Sequence, residues 1–525
     1  MRVWELDLQT TGGLLVGALQ HAPAGVHAAS ATVDGQAFLP GSALRGALRH
    51  GFRRFVEART GAACAFPGPC TCTCCRVFGT EGRAGRLRVR SAFAAPHTTF
   101  DLTRVAIDRT TGAATGSGAL FTERRVEASF TVELEEREAF DATDAQLFET
   151  YLAWCTEIGL PVGRGRSVGS GLLRLRGTRR SDRSAPHHAP GNAPTGDRRR
   201  AVLVLTAVEP LRLAGVRPRE FLREALPVIP ATTLAGAVGW ALAERGGDAL
   251  AADLFEQRPI RLSNGVFGRT PPAAWAGAAE CRGCKDPHDP TAAVVVQALG
   301  GATDPTLCPR CGDRLRPGPT DPPPTLVLGH TAIDPHLGRA AGGQLYSEVV
   351  VRPGCEFRAF VDADDDQIDM LTRLGSVLTG GSRARGLGRC DLRVEPADPA
   401  DLSARIQAQR QALHDAAAGA GTSVPEDLAI LGLLADAVPP PGGLRRWLTQ
   451  VGCEVVTGWI TGEVRGGWDE RAGTPRPLQQ HLAAGSWIAV RASRETLRQV
   501  ETTHDGPWLH VRDDIGGTGS EAEPT

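Results

Sequence analysis

The chain has 525 residues, 42% of them hydrophobic, a length and balance that suit two or three globular domains with sizeable cores. Its net charge of −1 excludes a uniformly basic nucleic-acid binder, so any affinity for a polyanion must come from local patches offset by acidic surface such as Asp362 to Asp366. The N-terminus, MRVWELDLQT, has no apolar signal region, and no run of about 18 apolar residues follows, which predicts a cytoplasmic protein without membrane contact.

Residues 2–8, RVWELDL, read as a first strand, and QHAPAGVHAASATVDGQAF at 20–38 as the loop after it. LPGSALRGAL follows at 39–48. Pro40 stops any preceding structure, Ser42 is placed to cap the amides of a new helix, and Leu44, Ala47 and Leu48 share one face at helical spacing. Arg45, Arg49 and Arg53 line another face. A helix start with free amides beside a cationic stripe suits an anion; the plain alternative is an amphipathic helix with a solvated arginine face. Cys64, Cys70, Cys72, Cys74 and Cys75 come next. Cys72 and Cys75 have metal-ligand spacing, and Cys64 or Cys70, with a histidine as a further candidate, would complete a zinc site. The segment AIDRTTGAATGSGALF at 106–121 reads as a tight hairpin of small residues, with Asp108 and Arg109 before it and Leu120 and Phe121 after it. A glycine loop, GRGRSVGSGLLRLR at 163–176, ends this half. From Arg164 to Arg183 there are seven arginines against the single acid Asp182, with Arg166 among them. Gly163, Gly165, Gly169 and Gly171 let the main chain approach a ligand closely, and phosphate is the natural partner. A nucleotide P-loop is disfavoured because no Gly-Lys-Ser/Thr ending is present.

The same series then repeats. After a polar linker at 177–200 come a strand, RAVLVLTAV, then IPATTLAGAV at 229–238, AIDPHLGRAAGGQLY at 332–346 and GGSRARGLGRCDLRV at 380–394. This order predicts one module duplicated, 1–176 and 201–399, since the period is too long for a solenoid. Gly380, Gly381, Ser382, Arg383, Arg385, Gly386 and Gly388 form the second glycine loop. Ala235 stands where the first copy has Arg45, which gives the second helix a different role. An insertion at about 270–325 carries Cys281, Cys284, Cys308 and Cys311 in CRGC and CPRC pairs. That is a zinc-ribbon pattern; four thiolates leave no open coordination position, so the metal is structural, and disulfides are disfavoured in a reducing cytosol. Cys155, Cys355, Cys390 and Cys453 lie in apolar contexts and read as core. In a third region, 400–512, DLSARIQAQRQALHDAAA and PEDLAILGLLADA read as helices and CEVVTGWI and GSWIAVRAS as strands, an α+β segment expected to complete the second module's partner fold. Residues 513–525 read as a disordered tail.

LPGSALRGALR, the Cys-rich segment ending CCRVFGT, IDRTTGAATGSGALF and GRGRSVGSG together resemble the RAMP superfamily of CRISPR-associated proteins. The first half resembles the backbone subunit of type III effector complexes. The second half, with its CRGC and CPRC pairs, LTGGSRARGLGR and GWDERAGTPRPLQQHLAAGSW, resembles the RAMP subunit of subtype III-D, in the group that caps the 5′ end of the guide RNA. The resemblance implies an α+β fold of two tandem ferredoxin-like (RRM-like) modules. It also implies guide RNA bound along its backbone, a target RNA, a hairpin that wedges between guide and target, and assembly with other type III subunits, including the large polymerase-type subunit. The scarcity of aromatic residues, 5%, favours ionic, sequence-independent binding.

In that backbone family, target cleavage depends on an aspartate in the loop before the LPGS helix, with a divalent metal. Here His27 holds about that place, and Asp34 lies in the adjacent turn; these two are the candidate catalytic residues. One carboxylate is a thin basis for metal-assisted hydrolysis, so the expectation is a non-cleaving guide-binding subunit, with structural zinc, and magnesium only if target cleavage occurs. Two alternatives stay open: a metal-independent guide-processing endoribonuclease using His27 or His50, and a zinc-ribbon scaffold without RNA contact.

Overall fold

The computed structural model describes residues 2–18, 23–66, 68–81, 83–116, 120–166, 169–182, 198–214, 222–268, 279–281, 283–284, 287–288, 296–300, 304, 307–308, 310–317, 322–334, 340–397, 402–418, 423–469, 474–503 and 506–512. Most of the linker, most of the 270–325 insertion, Gly118 in the first hairpin, and the tail lie outside the described residues.

In strand β1 (Arg2–Thr11), Trp4, Leu6 and Leu8 turn inward at every second position, so one face of the strand is core. Helix α1 (Gly41–Thr60) covers that face with Leu44, Leu48, Phe52, Phe55 and Val56, and ends where Gly61 adopts φ 68°, a left-handed turn that glycine enters without a Cβ penalty. Burying each such large apolar side chain contributes about 1.5–3 kcal/mol. The short helix α2 (Thr73–Phe78) leads to β2 (Leu87–Val89). A hairpin follows, made of β3 (His97–Val105) and the long β4 (Leu120–Glu136). Helix α3 (Ala142–Ile158) is capped by Asp141, whose side chain accepts from the Asp144 amide, and the unit closes with β5 (Leu172–Asp182). The sheet runs β5–β1–β4–β2, all antiparallel, with Leu6 opposite Val132 on one side and Thr178 on the other. In chain order this is fourth, first, third, second.

A second unit has the same order. It comprises β6 (Arg199–Ala207), α4 (Ala231–Gly246), β7 (Arg261–Leu262), a hairpin of β8 (Thr325–Ile333) and β9 (Ala340–Val351), then β10 (Glu356–Ala363), α5 (Asp365–Leu374) and β11 (Arg389–Pro396). Its sheet runs β11–β6–β10–β7, with Leu203 between Ala359 and Val394. Its core is separate from the first, built on Leu203, Leu205, Leu234, Val238, Phe357 and Val361.

The third region is also a unit of its own. After α6 (Leu402–Ala418) come β12 (Leu428–Leu433), α7 (Leu444–Val451), β13 (Glu454–Trp459), a hairpin of β14 (Gly462–Asp469) and β15 (Thr474–Leu482), β16 (Trp487–Arg491), α8 (Arg494–Thr502) and β17 (Leu509–Val511). The sheet runs β17–β12–β16–β13, again fourth, first, third, second. Two expectations are corrected here. PEDLAILGLLADA contains a strand in place of a helix: all six residues of β12 are buried because both faces of this central strand are covered, and a continuous apolar run mimics a buried helix. The region also has a complete sheet and core of its own, and does not finish the second unit's fold.

Several contacts join the units among the described residues. The strand at 17–18 pairs with 28–30 and with Leu328 of β8, so both first hairpins belong to one continuous sheet. Cys281 and Cys308 of the insertion pack with Trp459 and Trp487 of the third unit, while Val202, Val204 and Phe360 of the second meet Leu434 and Trp508. Between the first two units lies a buried ionic network: Arg88 pairs with Glu135 (2.6 Å) and Glu209, Arg389 joins Glu135, and Arg90 lies 3.3 Å from Glu209.

Candidate nucleic-acid interface and metal centres

The sulfurs of Cys64, Cys70, Cys72 and Cys75 lie within 4.8 Å of one another, as do those of Cys281, Cys284, Cys308 and Cys311. A zinc ion with four bonds of about 2.3 Å places its sulfurs about 3.8 Å apart. The structure has Cys284 and Cys308 sulfurs at 3.8 Å, Cys64 and Cys75 at 3.5 Å and Cys281 and Cys311 at 3.3 Å, with every cysteine a free thiol. Both sets fit structural zinc. Burial raises Cys308, but the backbone amides of Cys311 and Arg310 outweigh it and hold the thiol at about 6, the thiolate form a metal takes. In the first cluster the Cys72 amide draws Cys70 down to about 7. Cys74 faces away from the set; burial pushes it up to about 12.

The start of α1 is closed from within. Ser42 makes no capping bond; the helix begins after Pro40, and its Gly41 amide donates to Ser91 Oγ (3.0 Å), which donates to the Gly386 carbonyl (2.7 Å). The second copy is built alike, its Ala231 amide donating to Asn264 Oδ1 (2.8 Å). The arginine face of α1 is not a solvated stripe. Arg45 donates to the Phe78 carbonyl, and Arg49 to the Gly79 carbonyl (2.7 Å) with its guanidinium 3.7 Å above the Phe66 ring. Arg53 is buried beside Glu57. Arg45 and Arg49 strap the cysteine knuckle to the helix. Burial and the charges of Arg49 and Arg385 push Arg45 down to about 10.

The glycine loops show the duplication atom by atom. In the first, the Arg164 amide donates to the Leu15 carbonyl, the Gly171 amide to Gly13, and the Val162 amide to Gly171. In the second, Gly381 donates to Arg212, Gly388 to Pro210, and Thr379 to Gly388. A Cβ on Gly163 would sit 2.4 Å from the Leu15 carbonyl, and one on Gly380 2.4 Å from the Arg212 carbonyl, so these glycines are required by chain-to-chain approach. Gly165 and Gly169 also adopt positive φ. The second loop lies on the first unit: Arg88 donates to the Arg383 carbonyl (2.9 Å), and a Cβ on Gly386 would strike Val89 and Ser91. Arg383 also stacks on Trp240 of α4.

Beside the first loop is a cationic cluster. Buried Glu123, on β4, is shared by Arg125 (2.5 Å), Arg104 (3.6 Å) and Arg164 (3.7 Å), three cations around one carboxylate. Arg125 also donates to Ser170 Oγ, which anchors the loop. Arg164 is 62% exposed, its guanidinium 4.9 Å from the Phe121 ring. The hairpin beyond is shaped by Asp108, whose carboxylate accepts from the Thr110 and Thr111 amides, and it presents Arg109, Val105 and Ile107 to solvent. The sequence did not single out Glu123, Arg104 or Arg125; only the repeat of Leu-aromatic-Ser/Thr-Glu at 120–123 and 345–348 signalled the position.

His27 and Asp34 fall in different surroundings. His27 packs on Phe121 (4.9 Å) and its Nδ1 accepts the Thr122 amide (3.0 Å), which leaves the neutral ring's proton on Nε2. Asp34 is a turn residue, with φ 48° before Gly35 at φ 73°, joining the short strands 32–33 and 36–39, and its partner is Arg352 of the second unit (3.5 Å). Among the described residues Asp34 belongs to no group able to hold a metal ion. His50 lies on α1, where burial and then Arg53, Arg54 and Arg166 hold its pKa below the ordinary value.

Among the described residues no helix is long and apolar enough to cross a membrane. No curated protein matches the chain significantly. A chain of a cryo-EM structure of the type III-B Cmr-beta complex, bound to cognate target RNA and AMPPnP, is similar over 58% of this chain and 90% of that one, at 16% identity and a TM-score of 0.36. The RAMP superfamily matches residues 8–174 and 204–391, more than half of the chain and the span of the two duplicated units, and the chain belongs to that superfamily.

Proposed function

We propose that this chain is a subunit of a type III, III-D-like, CRISPR RNA-guided interference complex that binds guide-RNA phosphates and helps to position guide and target RNA. The fourth-first-third-second strand order with two helices supports a ferredoxin-like reading of each RAMP unit. The observation that carries the functional reading is the cluster at Glu123, where Arg104, Arg125 and Arg164 leave an excess of positive charge beside the exposed hairpin. Arg164, Arg166 and Arg109 take phosphates of any spacer sequence, and the glycine loops bring the main chain close to the strand. Arg45 and Arg49 act one step back, by holding the knuckle in place, and Arg53 by its pairing with Glu57 within α1. The other subunits of such a complex, the large polymerase-type subunit included, are its protein partners, and this chain does not cut the target. Fluorescence anisotropy with two unrelated single-stranded RNAs tests the reading. Arg164→Ala should weaken both alike and lower the salt slope by about one unit. A loss confined to one sequence would indicate base readout and contradict it.

A further inference from the structure

The third unit lies beyond the residues that the superfamily matches, and its hairpin of β14 and β15 forms a two-stranded sheet separate from the unit's own. A lone two-stranded ribbon is marginal in water and gains stability from further strands. Its base is anchored, since Arg465 pairs with Asp436 (2.9 Å) and Ala437 bridges Leu482. Farther out, Val464 is 49% and Leu478 71% exposed. Both lie on one face of the ribbon: a Cβ on Gly466, two residues beyond Val464 on the same strand, would lie 2.7 Å from Leu478 Cδ2. Arg465, between them in sequence, takes the other face. The two edges of the ribbon differ. β15 carries Pro475 and Pro477, which have no amide hydrogen to donate, and its base is covered at Ala437. β14 has no proline, and among the described residues it pairs with β15 alone, so its outer edge is open.

That edge is complementary to itself. The run Gly462, Glu463, Val464, Arg465, Gly466 sets an acid and a base symmetrically about Val464, with a glycine outside each. We propose that β14 pairs antiparallel with β14 of a second copy of this chain, about a two-fold axis at Val464, making one four-stranded sheet across the two copies. In that register position 464 meets itself and position 463 meets position 465 in both directions, so each charge on the edge faces its opposite. The contact is isologous and closes at two copies. An axis at Gly466 would instead set Glu463 against Asp469, two acids, and leave Arg465 opposite Gly467, so the sequence selects the register. Arg465 keeps Asp436, because a guanidinium has five N–H donors, enough for a second carboxylate. Val464 and Leu478 of both copies then share one apolar face. A foreign strand satisfies this edge only if it carries an acid and a base two residues apart in the same order, which this chain brings itself. No residue of either glycine loop takes part, and the pairing stands independently of the RNA-binding reading.

Sedimentation equilibrium of the full-length chain from about 1 to about 100 μM should show a reversible monomer–dimer equilibrium. Val464→Lys sets two like charges against each other on the axis and should weaken the dimer about ten-fold. Thermal unfolding of that variant should match the wild type, because the side chain it replaces is exposed. Val464→Cys is then oxidised with glutathione disulfide, which is reduced to two glutathiones as the two thiols join. Opposed Cα atoms stand about 4.5–5.5 Å apart, within the reach of a disulfide, so a 464-to-464 link should form. Gln480, opposite Val464 on β15, supplies the control: its two copies would be three strand spacings apart, about 14 Å, so Gln480→Cys should not link. Mass spectrometry of the linked peptides reads both. A wild type that stays monomeric over the whole range overturns the pairing. So does a dimer that Val464→Lys leaves unchanged, or one in which Gln480→Cys links as readily as Val464→Cys.

Discussion

Removing one ligand from a tetrathiolate site leaves three sulfurs that cannot close a tetrahedron, so each cysteine cluster should respond to a single change. Cys308→Ser is expected to lose about one equivalent of zinc and to loosen the packing of the insertion on Trp459 and Trp487. Cys72→Ser should lose the other equivalent, and elemental analysis with thermal unfolding reads both; unchanged metal content would refute the assignment. His27 and Asp34 make a contrasting case. In a reconstituted complex with magnesium, Asp34→Ala and His27→Ala should leave the target RNA fragments unchanged, because Asp34 is a turn carboxylate held by Arg352 and His27 Nδ1 is occupied by a backbone amide. Fragments lost only in Asp34→Ala would make Asp34 the metal-dependent residue. At this scale the sequence was legible where spacing alone defines the chemistry, as in the eight clustered cysteines. It was not legible for Ser42 or for Arg45, Arg49 and Arg53, since helical spacing says which side chains share a face and nothing of what that face meets.

Among the elements, the glycine loops were recognisable because their conformations leave few alternatives to glycine, whereas β12 was misread because a fully buried central strand lacks alternation. The third unit escaped notice for a related reason: it has neither a glycine loop nor an LPGS-like helix start, and its likeness to the others lies in strand order alone. Its core holds a titratable group with a definite consequence. Burial holds His510 below its ordinary value of 6.5 against the pull of Glu501, which is itself held low by His510 and Arg405. The folded state therefore binds fewer protons at this site than the unfolded chain, so the contribution to stability is present above about pH 6.5 and is lost as pH falls below it. Chemical denaturation at about pH 7.5 and about pH 5.5 should show that loss, and His510→Gln should flatten it; an equal slope in the variant would place the effect elsewhere.

The first two units are joined across a buried network of charges drawn from both. Arg88 and Glu135 come from the first unit, Glu209 and Arg389 from the second, and Arg88, Glu135 and Glu209 are buried. Glu209→Ala strands the Arg88 guanidinium without one of its two carboxylates and should cost about 3–5 kcal/mol, with unfolding splitting into separate transitions by calorimetry. A single unshifted transition would show that the sheet pairing at Leu328 carries the junction instead. This junction sets the spacing between the two glycine loops. The central claim, that the chain grips guide RNA at the hairpin base and glycine loop, is tested most directly by ultraviolet cross-linking of the assembled complex followed by identification of the RNA-linked peptides. The account predicts cross-links in the segments around residues 120–125 and 163–171. RNA in the complex that links to other subunits and to no peptide of this chain would contradict it.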